Sequence, residues 1–421
     1  MTTMLKYSIL AVSLGSLLSM MTVLPANAAV NVQCPGDIDG DGLWESLGEP
    51  DTTDPAYKPG VTKCMHLGAG DGFITMADGV SQYIFGFSDL TGLVTRPVPP
   101  DTGDDVMMAG MLGGNFPAPL IALDEGDEFY LTLTNVGMTA RPDLFDPHTV
   151  HYHGFPQAAP IFDGVPDAAI SINMGSSLTY FYKINDPGTF MYHCHVEATE
   201  HMQMGMLGNL YVRPAQDGTT KNYGGRNYTK FAYNDGDGST GYDVDYPIQI
   251  GSFDSAFHNS SETVQPLPFA LMEDNYPMLN GRGYPDTVNP DPLPAPTQNG
   301  GKVSQSQSSL ITANAGQRVL LRISNLNVTR FYTLGTLGVP MTVVGMDAKL
   351  LRGPGGKNLF YKTNSVTLGG GQVVDAIIDI PANAASGTKY FLYTNNLNYL
   401  SNSTEDPVNG MGGMMTEIRV N

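Results

Sequence analysis

The chain has 421 residues, 41 acidic against 21 basic side chains, a formal net charge of -20, 49 Gly, 30 Pro and three Cys. Such a surface repels nucleic acid and anionic membrane, so neither is expected as a partner; solubility and cationic ligands are the readings left for the charge. The length suffices for two domains with their own cores once a targeting segment is set aside.

In chain order, Lys6 precedes an apolar run from Ile9 to Leu24, and Ala26-Asn27-Ala28 has the small-residue pattern of a cleavage site. Residues 1–28 are read as a signal peptide, and the mature protein as exported, to the periplasm or beyond the cell. No later run approaches the roughly 20 apolar residues of a bilayer span, so no membrane span is expected. Residues 29–75 read as an N-terminal extension. Within it Asp37, Asp39 and Asp41 have the spacing of the first ligands of an EF-hand-like calcium loop, but Gly48 stands at the twelfth position, where a glutamate belongs. An Asp/Gly turn is the leading reading there and calcium the alternative. Cys34 and Cys64 are expected to form a disulfide in an oxidising compartment, since the third cysteine, Cys194, sits between two histidines as a metal ligand would.

Beyond the extension, short alternating segments rich in Val, Ile, Thr, Tyr and Phe recur between Gly and Pro. No long helical periodicity competes, so the fold class is all-β. IALDEGDEFYLTLTN (Ile121 to Asn135) is repeated by ITANAGQRVLLRISN (Ile311 to Asn325), with Gly126 and Gly316, Leu131 and Leu321, and the closing asparagines at equal offsets. PGTFMYHCH is echoed by SGTKYFLYTNN, and GMLGNLYV by GMGGMMTEIRV. One β-sandwich is therefore expected twice, over 76–215 and 222–421, with the boundary near Arg213 to Tyr223. The Pro-rich stretch from Gln265 to Gln307 is expected as an extended segment packed over or between sheets.

Six of the eight histidines fall between His148 and His201, in HTVHYHGF and HCHVEATEHMQMGM. Strand side chains alternate between faces, so His151 and His153 share one face, as do His193 and His195, while Cys194 points the other way. If Cys194 faces the interior, His148 can join it, and the loop carrying His201 and Met206 can fold over both. A thiolate, two imidazoles and a weak thioether form the donor set that suits copper in its two oxidation states. The four remaining imidazoles define a second copper site at the domain surface. His66 and His258 lack such company and are read as structural. Met107, Met108 and Met111, and Met411, Met414 and Met415, are read as packing rather than as soft ligands of Cu(I).

HYHGFPQAAPIFDGVPDAAISIN resembles the segment that carries the first copper-binding histidine pair of multicopper oxidases, and PGTFMYHCHVEATEHMQMGMLGNLYV resembles the family's terminal copper loop. Leu368 to Pro381 is similar to its copper-free middle domain. The resemblance implies two cupredoxin-like Greek-key β-sandwich domains, the first binding copper and the second without ligands. It implies a type 1 copper on His148, Cys194 and His201 with Met206 axial, and His151, His153, His193 and His195 serving a trinuclear cluster. It further implies electron flow from a small-molecule or metal-ion donor, through the Cys194 backbone, to dioxygen. That cluster takes eight histidines in the family, and this chain supplies four; the second-repeat positions echoing HCH read Thr394, Asn395 and Asn396. A homo-oligomer, another protein, or a smaller complement of copper must account for the difference. Two other readings are a copper nitrite reductase-like enzyme, which HYH and HCH oppose, and a non-catalytic copper-binding or electron-transfer protein.

Overall fold

The computed structural model describes residues 30–37, 52–93, 95, 105–155, 158–263, 265–402 and 410–421. The expected signal peptide lies outside the described residues. The first half contains β1 (Thr62–Thr75), β2 (Ser81–Asp89), β3 (Ile121–Asp124), β4 (Glu128–Gly137), β5 (His151–His153), β6 (Ser177–Lys183), β7 (Gly188–His193) and β8 (Leu207–Arg213). They form two facing sheets of order β2-β1-β4-β6 and β3-β8-β7-β5. The two-residue period is plain in β6, where Tyr180 and Tyr182 are fully buried and Phe181 between them is exposed. The core between the sheets includes Phe85, Leu131, Tyr180 and Phe190, and it extends to Cys194 and Met206.

The first sandwich begins earlier than the boundary at residue 76. Strand β1 pairs antiparallel with β2 and in parallel with β4, so residues from Thr62 belong to the sheet rather than to an extension. Its Gly-rich GAGDG run lies inside the strand, where the glycines permit close backbone approach. A Cβ at Gly70 would lie 2.7 Å from a Val136 methyl and 2.9 Å from the Gly137 carbonyl.

Cys34 and Cys64 form the expected disulfide, with Cα atoms 5.9 Å apart and 30 residues of separation. It fastens the segment before the sandwich to β1, while the Asn31 amide donates to the Ser177 hydroxyl (2.9 Å) on β6. A closed loop of this length is expected to contribute about 3–4 kcal/mol by restricting the unfolded chain. The paired substitution Cys34→Ser with Cys64→Ser should lower the free energy of urea unfolding by that order, and a non-reduced digest of the parent protein should yield the two peptides cross-linked.

The second half repeats the architecture. One sheet is built around Val244–Phe253, Arg318–Asn325, Gln372–Asp379 and Met341–Met346, and the other around Met415–Val420, Lys389–Thr394 and Tyr332–Leu337. The repeated asparagines have one structural task. The Asn135 amide donates to the Ile172 carbonyl (2.9 Å) and its side-chain oxygen accepts from Gly137; the Asn325 amide donates to the Leu368 carbonyl (2.7 Å) and its oxygen accepts from Asn327. Each braces the end of its strand against the backbone that follows and against a neighbouring segment. The Pro-rich segment runs across both halves, as expected: the Asn299 side chain pairs with the Phe73 amide and carbonyl (both 2.8 Å), and the Ser304 carbonyl accepts from Phe116 (2.9 Å). A short strand inside it, Tyr276–Leu279, pairs with Val244–Phe253.

The halves are joined through a buried charged network. The fully buried Arg322 guanidinium donates to Asp245 (2.9 Å) and Thr189 (3.4 Å) and stacks over Tyr211, 4.5 Å from the ring centroid. The Thr189 hydroxyl donates to the buried Asp375 (2.5 Å), which also accepts from Tyr233. Thr189 is the second residue of β7, whose other end is His193, so this network anchors the strand that delivers the candidate ligands.

Candidate metal centre

Strand β7 delivers three consecutive donors because it ends among them. It pairs antiparallel with β5, setting His151 opposite His193 and His153 opposite Met191. Just past the strand end, Cys194 turns into the core, and its amide donates to the Met206 carbonyl (3.1 Å). The intervening residues form the helix Ala198–Met204, which closes at Gly205 with φ 117°. Glycine is required there, since a Cβ would lie 2.9 Å from the Phe85 carbonyl.

The inner group contains His148, Cys194 and His201, all fully buried, with ligand atoms within 4.8 Å of one another. The Cys194 Sγ lies 3.7 Å from His148 Nδ1 and 3.2 Å from His201 Nδ1. His148 is fixed by a two-way backbone pairing with Ile172 (3.0 and 2.9 Å), and its Nε2 is buried without a partner. His201 Nε2 lies 3.9 Å from the Asp146 carboxylate. Burial holds His148 well below the ordinary imidazole range, and the neighbouring His201 adds to that. For His201 burial acts in the same direction, but the Cys194 sulfur and Asp146 outweigh it and raise the ring to about 10. Met206 is fully buried, and its amide donates to the His201 carbonyl (2.8 Å). One sulfur and two imidazole nitrogens converging in a dry core, with a thioether residue on the same loop, fit a copper ion.

The outer group contains His151, His153 and His193, again with ligand atoms within 4.8 Å of one another. His153 Nε2 and His193 Nε2 are 3.0 Å apart. His151 Nδ1 lies 2.6 Å from the Asp163 carbonyl, and His193 Nδ1 lies 2.7 Å from the Cys194 carbonyl. Such contacts fix the ring and leave Nε2 free to bind metal. Burial lowers His151 and His153, and brings His193 down to about 3, so all three are neutral and offer lone pairs at neutral pH. His195 joins as a neighbour, its ring centroid 4.9 Å from that of His151. The alternation argument therefore holds in space: Cys194 faces inward and its flanking histidines face out.

Across a pocket of ≈ 390 Å³ from His153, His193 and His195 stand residues 326–331, 370 and 371 of the second half. That wall holds no His, Cys, Asp or Glu. Sequence reading did not anticipate that the outer histidines would face their own second domain, nor the contacts of Asp146 and Asp163, because each depends on packing between distant segments.

The second sandwich repeats the backbone of the inner group without its ligands. There the Thr394 amide donates to the Met414 carbonyl (2.9 Å), the Met414 amide to the Tyr399 carbonyl (2.8 Å), and the rings of Tyr332 and Tyr399 lie 5.4 Å apart at 53°. The matching rings of His148 and His201 lie 5.0 Å apart at 49°. Tyr332, Thr394, Tyr399 and Met414 thus stand where His148, Cys194, His201 and Met206 stand in the first. HCH is echoed by Tyr393, Thr394 and Asn395, one residue earlier than the match read from sequence. Even the supporting charge is inverted: Arg330 donates to Tyr399 where Asp146 faces His201.

His66 and His258 sit outside both groups, with His66 Nε2 2.7 Å from the Thr134 hydroxyl and both His258 nitrogens against carbonyls. Of the candidate calcium ligands, Asp37 is buried near the disulfide, and Asp39 and Asp41 lie outside the described residues. Among the described residues, no helix is long and apolar enough to cross a membrane.

Fold and donor groups together define a two-domain, cupredoxin-like protein whose first domain carries two groups of His and Cys side chains that could hold metal. Family models for multicopper oxidases match residues 96–217 and 258–415, together more than half of the chain, and the chain belongs to the multicopper oxidase family. It is 26% identical over 268 residues to multicopper oxidase MmcO of Mycobacterium tuberculosis, a match covering 61% of this chain and 46% of that protein. It is 31% identical over 119 residues to the L-ascorbate oxidase of Cucurbita pepo var. melopepo, covering 28% of this chain and 20% of that one. The matches thus span less than half the length of these relatives. Among solved structures, the blue copper oxidase of Nitrosomonas europaea shares the fold at a TM-score of 0.57 and 21% identity, over 84% of this chain and 85% of its own. The copper nitrite reductase of the same organism shares it at 0.54 and 15%, over 85% and 93%.

Proposed function

We propose that the protein is an exported, copper-dependent oxidoreductase that takes electrons from a small-molecule or metal-ion donor and passes them to dioxygen. The observation that supports this best is that one tripeptide, His193-Cys194-His195, serves both donor groups, so the two sites are joined through a few covalent bonds. Copper at the two sites would supply one-electron chemistry that no side chain here provides. The chain's own part is positional. His148, Cys194 and His201, with Met206 as the weak fourth donor, fix the entry site in a dry core. His193, held by the Cys194 carbonyl, links it to the outer site. His151, His153 and His195 complete the ligands this chain can give there.

Because the facing wall of the second domain offers no ligand, a larger outer cluster needs ligands from another chain, either a foreign partner or a second copy whose four equivalent histidines would supply the other half at a two-fold contact; without one the outer site holds fewer coppers. Solution mass measured with and without copper tests that arrangement. His153→Ala and His193→Ala are expected to lower the copper count per chain and dioxygen consumption while leaving the blue band in place. A monomer with one copper per chain, whose dioxygen consumption is untouched by either substitution, would overturn both the two-fold cluster and the outer site's part in the reaction; a copper-loaded parent that consumes no dioxygen would favour an electron carrier or copper store. Met206→Leu should keep the colour and raise the reduction potential, because losing a weak donor destabilises the oxidised ion most. A colourless Met206→Leu protein that still binds copper would remove Met206 from the ligand set.

A further inference from the structure

The helix Ala198–Met204 that carries His201 is poorly equipped to hold itself. It is seven residues long, is entered at Glu197 in a left-handed backbone conformation (φ 45°), and has no side-chain cap at that end. Helices this short are marginal without outside contacts. This helix packs on β2 of the first sandwich, and the hydrogen bonds that hold Gln203 from outside come from the second half of the chain. Gln203, between His201 and Met206, donates from its side-chain amide to Asp274 Oδ1 (3.2 Å), and its backbone carbonyl lies 2.9 Å from His258 Nε2. The other nitrogen of His258 lies 2.6 Å from the Tyr83 carbonyl on β2, two residues before Phe85, whose ring stands edge-on to His201 at 5.6 Å. The second oxygen of Asp274 accepts from the Ser252 hydroxyl and from Thr329 (2.6 Å), and Thr329 belongs to the wall facing the outer histidines.

Gln203, His258 and Asp274 are all buried, so the structure bears the cost of burying an amide, an imidazole and a carboxylate to make these contacts. Well-packed apolar side chains would fill such space without that cost. What the polar groups add is direction: each fixes one end of Gln203. We propose that Gln203, His258 and Asp274 are positioning residues through which the second domain clamps the loop bearing His201 and Met206, holding both donors in place and tying the inner site to the wall of the outer pocket. The proposal rests on the copper reading only for its effect on the metal; the clamp itself is a property of the metal-free chain.

Two measurements separate these levels. In the metal-free protein, Gln203→Met and Asp274→Asn should each speed amide hydrogen exchange across residues 199–206 by about tenfold, the effect of losing one charge-assisted hydrogen bond. His66→Gln, which disturbs a buried histidine elsewhere in the first sandwich, should leave those amides at their parental rates. In the copper-loaded protein, the same two variants should stay blue but show a shifted reduction potential and altered copper hyperfine splitting. If Asp274→Asn does not fold, Gln203→Met decides, since it leaves the Asp274 contacts to Ser252 and Thr329 intact. Parental exchange rates in folded Gln203→Met would overturn the clamp. Faster exchange with an unchanged potential would overturn its role toward the metal. A parent chain that takes up no copper would instead refute the copper reading and leave the exchange result to judge the clamp alone.

Discussion

Cys194→Ser is expected to abolish the blue absorption of the copper-loaded protein completely and to bring dioxygen consumption down to background. The intense band of such sites requires a copper–thiolate bond, and Cys194 is the free cysteine of a chain whose other two are joined. Its sulfur is the atom on which His148 and His201 converge, so no neighbouring side chain can replace it. Serine is close to cysteine in volume, and its hydroxyl can take up the contact with His201, so the sandwich should stay folded. The outer histidines should also keep their copper. Visible absorption, electron paramagnetic resonance and a copper count on the same sample check this together, and a surviving blue band would place the site elsewhere.

Arg322→Met should be among the most destabilising single substitutions available, at about 3–5 kcal/mol, the usual cost of removing one partner from a buried charge pair. The guanidinium is fully buried where the sandwiches meet, and its loss takes the nearby positive charge from the buried Asp375 carboxylate, which the hydroxyls of Thr189 and Tyr233 hold. It also strips Asp245 of its ion-pair partner and removes the stacking over Tyr211 on β8. Urea unfolding should show the midpoint falling; if the sandwiches uncouple, one transition becomes two. A loss below about 1 kcal/mol would mean that the network is no stronger than a surface pair.

The division of the donor residues into two groups was legible in the sequence because strand alternation is a local rule. The two-residue period alone separates Cys194 from His193 and His195 and puts His151 beside His153, and β5 and β7 pair to make that true in space. Duplication was legible because Asn135 and Asn325 answer the same backbone need in both copies. Strand β1 was not, because its glycines look like turn residues until Gly137 and Val136 are seen packed against them. Nor was the register of the second copy, since its longer loop between Thr394 and Met414 hides the equivalence of Tyr399 to His201 until backbone hydrogen bonds are compared. The wall opposite the outer histidines and the grip of Asp274 and His258 on Gln203 join segments tens of residues apart, with no periodic signal to mark them.

The proposed function requires two kinds of copper, held by donors that β5, β7 and the segments beside them bring together. Copper stoichiometry per chain, read on the same sample as the visible and paramagnetic spectra, tests it most directly. The expected result is one blue copper together with additional copper that is lost in His153→Ala and His193→Ala. A reconstituted, folded chain that binds no copper, or that binds it without a thiolate signature, would contradict it.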